Sequence, residues 1–213
     1  IIGGEIFSQL KTNYTISLDI CVTTPNQLSN FCWAWAISNG TGQYSALVNK
    51  AGNANWYYEI KDGTAYQTNS NSPLKVNEWH TITVVQKGTT NTLYIDGVQK
   101  GTSTISLKPT TFGYQLVGNW LGRSPFSGDA YMTNTYFDNF RVYNTALSEA
   151  DITSLAEQRP TSKKIGDETG IESIMQEPNT DDTSLYDLQE RKIGTDYPSK
   201  GIYIKEGKKI FIK

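Results

Sequence analysis

In YTISLDICV, residues 14–22, apolar Ile16, Leu18, Ile20 and Val22 alternate with Ser17, Asp19 and Cys21. A period of two sends successive side chains to opposite faces of an extended chain, so this stretch predicts a half-buried strand. FCWAWAI at 31–37 repeats the pattern, with Phe31, Trp33, Trp35 and Ile37 on one face and small residues behind them; Asn39-Gly40 ends it. WYYEI at 56–60 is a further strand, closed by Asp62-Gly63. Residues 77–101, NEWHTITVVQKGTTNTLYIDGVQKG, read as three strands, HTITVVQ, NTLYI and VQKG. Asp96-Gly97 between the last two tolerates the positive φ that a type I′ hairpin turn requires. YQLVGN (114–119) and TYFDNFRVYN (135–144) complete the series.

A helical period occurs in one place, 149–158. Ser148 is placed to cap that helix, Asp151 completes a capping-box-like S-x-x-D, Leu147 and Ile152 occupy the two staple positions, and Pro160 stops it. Many short strands joined by Gly, Asn and Asp turns, with one short helix, predict an all-β sandwich of two antiparallel sheets. Beyond the helix, SLYDLQERKI (184–193), GIYIKEG (201–207) and KKIFIK (208–213) read as three smaller strands with a tight turn at Glu206-Gly207. So few residues bury little surface alone, and a small appended β domain of this size is expected to dock or to be marginally stable.

Composition places the boundary. Residues 1–160 hold 21 of the 25 aromatics, whereas residues 161–213 hold four and no Trp. QRPTSKKIGDETG has the Pro, Gly and charge content of a linker and no apolar period. The expected organisation is a sandwich at 1–159, a linker at 160–172 and a small β domain at 173–213.

With 19 basic against 21 acidic residues the net charge is -2, which supplies no footprint for nucleic acid or an anionic membrane. No run of about 18 apolar residues exists, so no membrane insertion is expected. The opening IIGGEIF, without an initiator Met or a basic n-region, reads as the start of a piece processed or excised from a longer secreted protein. Cys21 and Cys32 either close a disulfide, worth roughly 3 kcal/mol over so short a loop, or remain two small buried thiols.

Four pieces, W-H-x-I-x-V, LYIDGVQKG, VGNWLGRSPFSGDAY and YFDNFRVYNTALSEADI, stand in an order that resembles the laminin-G-like, concanavalin A-like modules of bacterial polysaccharide-degrading enzymes, over roughly residues 1–159. The resemblance implies a jelly-roll of two curved sheets, frequent glycan binding, often a structural calcium, and an upstream catalytic domain. Such modules usually have a strand before the YTISL strand; either it is truncated here or residues 1–7 supply it in shortened form. The tail, YDLQERKI then KGIYIKEGKKIFIK, resembles the C-terminal sorting domain of Bacteroidetes-type exported proteins, although Glu190 stands where that family usually has Gly. That resemblance implies a secreted or cell-surface location.

Sugar rings stack their C–H faces on aromatic planes and match their hydroxyls to planar polar side chains. Trp120, among Asn119, Arg123 and Asp129 in a Gly-containing loop, is the leading candidate platform, with rim packing as its bland alternative. Trp56, Tyr57 and Tyr58 are consecutive on one strand, so either Tyr57 or the Trp56/Tyr58 pair faces outward and is exposed or covered by a loop. Trp33 and Trp35 read mainly as core, and Trp79 as packing. Asp138 shares parity with Tyr136, Phe140 and Val142, so its carboxylate is expected on the buried side. There it must accept backbone hydrogen bonds, pair with Arg141 or Arg123, or bind a metal, calcium being the ion suited to oxygen ligands.

For catalysis there is little. The single histidine, His80, lies within a strand with no evident nucleophile beside it. The E-x-D-x-x-E string of jelly-roll glycosidases, GxGxxG, a P-loop and zinc spacings are absent. The expected function is a non-catalytic carbohydrate-binding accessory module for polysaccharide or oligosaccharide. The alternatives are a structural or interaction domain packing on a catalytic partner and, more remotely, a glycosidase.

Overall fold

The structure is a computed structural model of the chain. It describes residues 4–23, 31–49, 55–112 and 118–161, and beyond them the backbone of four short strands within 185–212. The chain divides into two compact units, Ile1–Lys163 and Lys164–Lys213.

The first unit opens with a helical turn, α1 (Gly4–Phe7), where the resemblance called for a strand or its remnant. Phe7 and Leu10 are buried in the core between the sheets. The strands are β1 (Asn13–Val22), β2 (Cys32–Ser38), β3 (Gln43–Asn49), β4 (Asn55–Asp62), β5 (Thr64–Pro73), β6 (Trp79–Lys87), β7 (Thr90–Ile95), β8 (Val98–Thr104), β9 (Trp120–Leu121) and β10 (Thr135–Tyr143). They form two five-stranded sheets in the orders β10-β1-β6-β7-β8 and β5-β4-β3-β2-β9, and the strand pairings are antiparallel throughout. This is the all-β sandwich that the alternating pattern predicts. The sequence reading missed β3 and β5. QYSALVN mixes small polar and apolar residues, and TAYQTNSNSP is almost wholly polar, because β5 is an edge strand with most of its side chains in solvent. Of YQLVGN, residues 114–117 lie outside the described residues.

Between the sheets, Ile16, Leu18, Ile20, Val22, Ile82, Val84 and Leu93 meet Ala34, Trp35, Ile37, Leu47, Trp56, Tyr58 and Ile60. Each large aliphatic group removed from water here stabilises the fold by about 1.5–3 kcal/mol. The tyrosine hydroxyls within this core are paired across it: Tyr14 and Tyr58 hydroxyls lie 2.9 Å apart, and Ser45 Oγ donates to Tyr58 at 3.1 Å. At the sandwich edge a Cβ on Gly101 of β8 would stand 2.0 Å from the carbonyl oxygen of Asn69 on β5, so only glycine permits this approach. Asp96 (φ 52°) and Gly97 (φ 79°) form the expected β7–β8 turn.

The capped helix is α2 (Glu149–Glu157), where the S-x-x-D signal placed it. Asp151 N donates to Ser148 Oγ at 3.2 Å and Ser148 N to Asp151 Oδ2 at 3.0 Å. Its Ile152 packs with Leu147 against Val85 and Tyr94 on the outer face of the first sheet. Among the described residues no helix is long and apolar enough to cross a membrane.

Two bulges reverse the face assignments made from strict alternation. Trp33 pairs with Val48 and Trp35 with Leu47, so Ala34 is an extra residue on β2. Trp35 enters the core whereas Trp33 emerges on the outer face, and Phe31 is 42% exposed. On β10 the pairs Asp19↔Asp138 and Ser17↔Arg141 leave one residue between them on β1 and two on β10, with Asn139 at a φ of 49°. Phe137, Phe140 and Val142 therefore face the core, and Asp138 is exposed rather than turned inward.

In the second unit β11 (Leu185–Tyr186), β12 (Lys192–Gly194), β13 (Gly201–Lys205) and β14 (Lys208–Ile212) form an antiparallel sheet in the order β12-β11-β13-β14. SLYDLQERKI, expected as a single strand, thus supplies two. The expected linker from residue 162 onward and the Glu206-Gly207 turn lie outside the described residues.

Candidate functional site

On the outer face of the second sheet, Trp33, Tyr44, Ala46, Val48 and Tyr57 make a small apolar layer of their own. The loop between β9 and β10 folds over it and inserts Phe126, whose ring centroid lies 5.7 Å from Trp33 and 5.9 Å from Tyr44. Glu59, also on this face, accepts hydrogen bonds from the Tyr44 hydroxyl and from Gln67 Nε2. Burial first, then the hydrogen bond to Glu59, pushes the Tyr44 phenol well up; burial, then the charges of Glu59 and Asp129, does the same for Tyr57. The Cys32 thiol is pushed up to about 11 by burial and then by Asp129. These three groups stay neutral at any ordinary pH. Cys21 and Cys32 are buried thiols on β1 and β2, strands of different sheets.

The same loop encloses a cavity of about 310 Å³ lined by Trp120, Arg123, Ser124, Pro125, Phe126, Ser127, Asp129 and Tyr131. β9 pairs with β2 at Ala36↔Trp120, which places the Trp120 indole on the outer side. A left-handed Gly122 (φ 67°) and the Gly122 N–H bond to the Ala34 carbonyl, 2.9 Å, then turn the chain so that Arg123 reaches back over the indole. The Arg123 guanidinium carbon lies 4.5 Å from the Trp120 ring centroid and 5.3 Å from that of Tyr131. Ser124 Oγ donates to Asp129 Oδ2 at 2.6 Å and accepts from Phe126 N–H at 3.0 Å, which locks the loop. Tyr131 is 58% exposed, and Trp120 is half-buried. Together these residues bring aromatic rings, a guanidinium, a carboxylate and three hydroxyl groups to one small space.

The predicted site residues divide sharply. Trp120 and Arg123 line the cavity with Asp129. Asn119 is buried at 3%, is not among the lining residues, and its Oδ1 has no hydrogen-bond partner among the described residues. Trp56 and Tyr58 are fully buried in the core, because β4 turns its even positions inward. Tyr57 takes the outward face but is covered, at 5% exposed. None of these three offers a ring face to a ligand. Asp138 lies exposed with its carboxylate accepting from the Asn139 N–H at 2.7 Å, and among the described residues no three His, Cys, Asp or Glu side chains cluster around it. Tyr131, Phe126 and Ser124 escaped the sequence reading. Their signal was the loop SPFSGDAY itself, in which aromatic residues stand among Ser, Gly and Pro.

Residues 6–153 match the family described as the concanavalin A-like lectin/glucanases superfamily, of the laminin G type. The chain belongs to this superfamily. No curated protein matches it. Among solved structures it is similar to domain 4 of AbnA, a GH43 extracellular arabinanase from Geobacillus stearothermophilus in complex with arabinotriose, with a TM-score of 0.53 and 17% identity over 68% of this chain and 66% of that one. It is also similar to the CBM40 of the Ruminococcus gnavus IT-sialidase bound to alpha2,3 sialyllactose, with a TM-score of 0.53 and 13% identity over 70% and 84%. For the NanB sialidase of Streptococcus pneumoniae the TM-score is 0.56 at 17% identity, over 71% of this chain and 24% of that one. At these identities the likeness establishes the superfamily's jelly-roll fold, and the cavity's own residues carry the rest.

Proposed function

We propose that the sandwich is a non-catalytic carbohydrate-binding module that holds an upstream glycoside hydrolase against its polysaccharide, and that the β9–β10 loop is the binding site. The observation that carries this reading is the cavity in which Trp120, Tyr131, Arg123 and Asp129 converge, since saccharides need ring faces and planar polar groups together. The fold neighbours support it: one is a domain of an arabinanase in complex with arabinotriose and another a CBM40 bound to sialyllactose. Asp129 is the single carboxylic acid among the lining residues, whereas glycoside hydrolysis uses a pair. Stacking of about 1 kcal/mol per aromatic contact beyond area burial gives micromolar to millimolar affinity. A secreted or cell-surface location, with residues 173–213 as the sorting signal, completes the proposal; its support is the tail's resemblance to such domains.

Affinity electrophoresis of the chain and of Trp120→Ala against a panel of polysaccharides tests this. Retardation by at least one polysaccharide, lost in the variant, is the expected result. Uniform absence of retardation would favour a domain that packs on a protein partner instead.

A further inference from the structure

Arg123 is the cavity's unused charge. Its cation–π contacts with Trp120 and Tyr131 hold the guanidinium plane in place but consume none of its five N–H donors. No hydrogen bond or ion pair takes up those donors among the described residues. A carboxylate is at hand in the same cavity, yet Asp129 bonds to Ser124 Oγ at 2.6 Å, and no ion pair joins it to Arg123. The loop thus keeps its acid and its base apart, with the base fixed between two rings.

Resting on the proposed glycan site, we infer that the cavity selects a carboxylate-bearing sugar, a uronate or a nonulosonate residue, whose carboxylate docks on the N–H edge of Arg123. A planar carboxylate matches the guanidinium fork bidentately. The rings already hold the side chain, so little rotamer freedom is lost on binding. The exposed Ser127 and the second carboxylate oxygen of Asp129 remain for the sugar's hydroxyls. With a net charge of -2 the chain has no long-range attraction for a polyanion, so the selectivity is local to this one contact. A cavity of about 310 Å³ is at the small end of ligand sites, which suits one acidic residue at a chain end or branch.

Calorimetric titration of the full chain with trigalacturonate and its methyl ester, and with 3′-sialyllactose and lactose, tests the inference. At least one acid should bind about tenfold or more tightly than its neutral counterpart. Arg123→Gln should abolish that preference, and Arg123→Lys should retain part of it, with thermal unfolding of both variants unchanged because the side chain is exposed. The pair that shows the preference identifies the sugar. Equal affinity for acid and neutral forms, binding of neutral polysaccharide only, or a preference that survives Arg123→Gln overturns the inference and leaves the glycan reading intact. Silence from every probe, together with no retardation on any polysaccharide, overturns both.

Discussion

His80 Nδ1 and Asp96 Oδ2 lie 2.7 Å apart where the start of β6 meets the β7–β8 turn. Lys75 N–H donates to His80 Nε2 at 3.2 Å, so Nδ1 carries the ring proton and donates it to Asp96. Asp96 Oδ1 accepts from Thr81 N–H at 2.9 Å, and Arg159 stands 3.9 Å away. The lone histidine is thereby explained as a structural clasp between a loop, a hairpin turn and the end of α2. Burial alone would raise the Asp96 pKa, but the bonds from His80 and Thr81 and the nearby Arg159 guanidinium outweigh it and hold it below its ordinary value.

A carboxylate depressed in the folded state stabilises above its unfolded pKa, and that contribution is lost as pH falls through the folded value. Asp96→Asn should therefore lower stability by about 1–2 kcal/mol at pH 7. The gap to wild type should close as the pH falls below about 4. Urea denaturation at pH 7, 5 and 3 checks both; a gap that persists unchanged at pH 3 would contradict the clasp.

Trp56 and Trp120 should separate folding from recognition. Trp56→Ala empties a fully buried site and should cost about 3–5 kcal/mol. Trp120→Ala, at a half-buried position on the two-residue edge strand β9, should cost under about 1.5 kcal/mol while removing saccharide binding. Thermal melts beside the electrophoresis described above decide it.

Gly101→Ala should destabilise by about 2–3 kcal/mol, because the new methyl group meets the Asn69 carbonyl and prises β8 from β5. Gly42 and Gly128, which have open space around them, should accept Ala within about 0.5 kcal/mol. Equal melting shifts at all three positions would contradict the close approach.

The β10 bulge has its own signature. Asn139 Nδ2 donates to the buried Asp19 at 2.7 Å, and Asn139 also takes the left-handed backbone conformation. Asn139→Gly keeps the backbone and loses the donor, whereas Asn139→Ala loses both. Expected costs are about 1–2 and 2–3 kcal/mol respectively, with Asp138→Asn within about 0.5. Denaturant midpoints should be highest for Asp138→Asn, lower for Asn139→Gly and lowest for Asn139→Ala.

The strands, hairpin turn and capped helix were legible because each depends on residues close together in sequence. YTISL alternates, Asp96-Gly97 suits one turn type, and Ser148 and Asp151 satisfy one another's backbone. Of the candidate site, Trp120 and Arg123 were legible, as aromatic and planar polar residues in a turn-rich loop. The depth of Trp56, Tyr57, Tyr58, Asn119 and Asp138 was not legible, since how deeply a side chain is covered depends on what packs over it.

From its sequence alone this protein was determined to be an all-β sandwich with one capped helix and a compositionally distinct tail, because side-chain period and turn chemistry are local. Which face each aromatic occupies was decided only by tertiary structure. A single inserted residue at Ala34, and another at Asn139, inverts the phase of everything after it without altering the apparent alternation. The same holds for the cavity: Tyr131 meets Arg123 only once the loop has closed over the outer sheet, a contact that no spacing along the chain encodes.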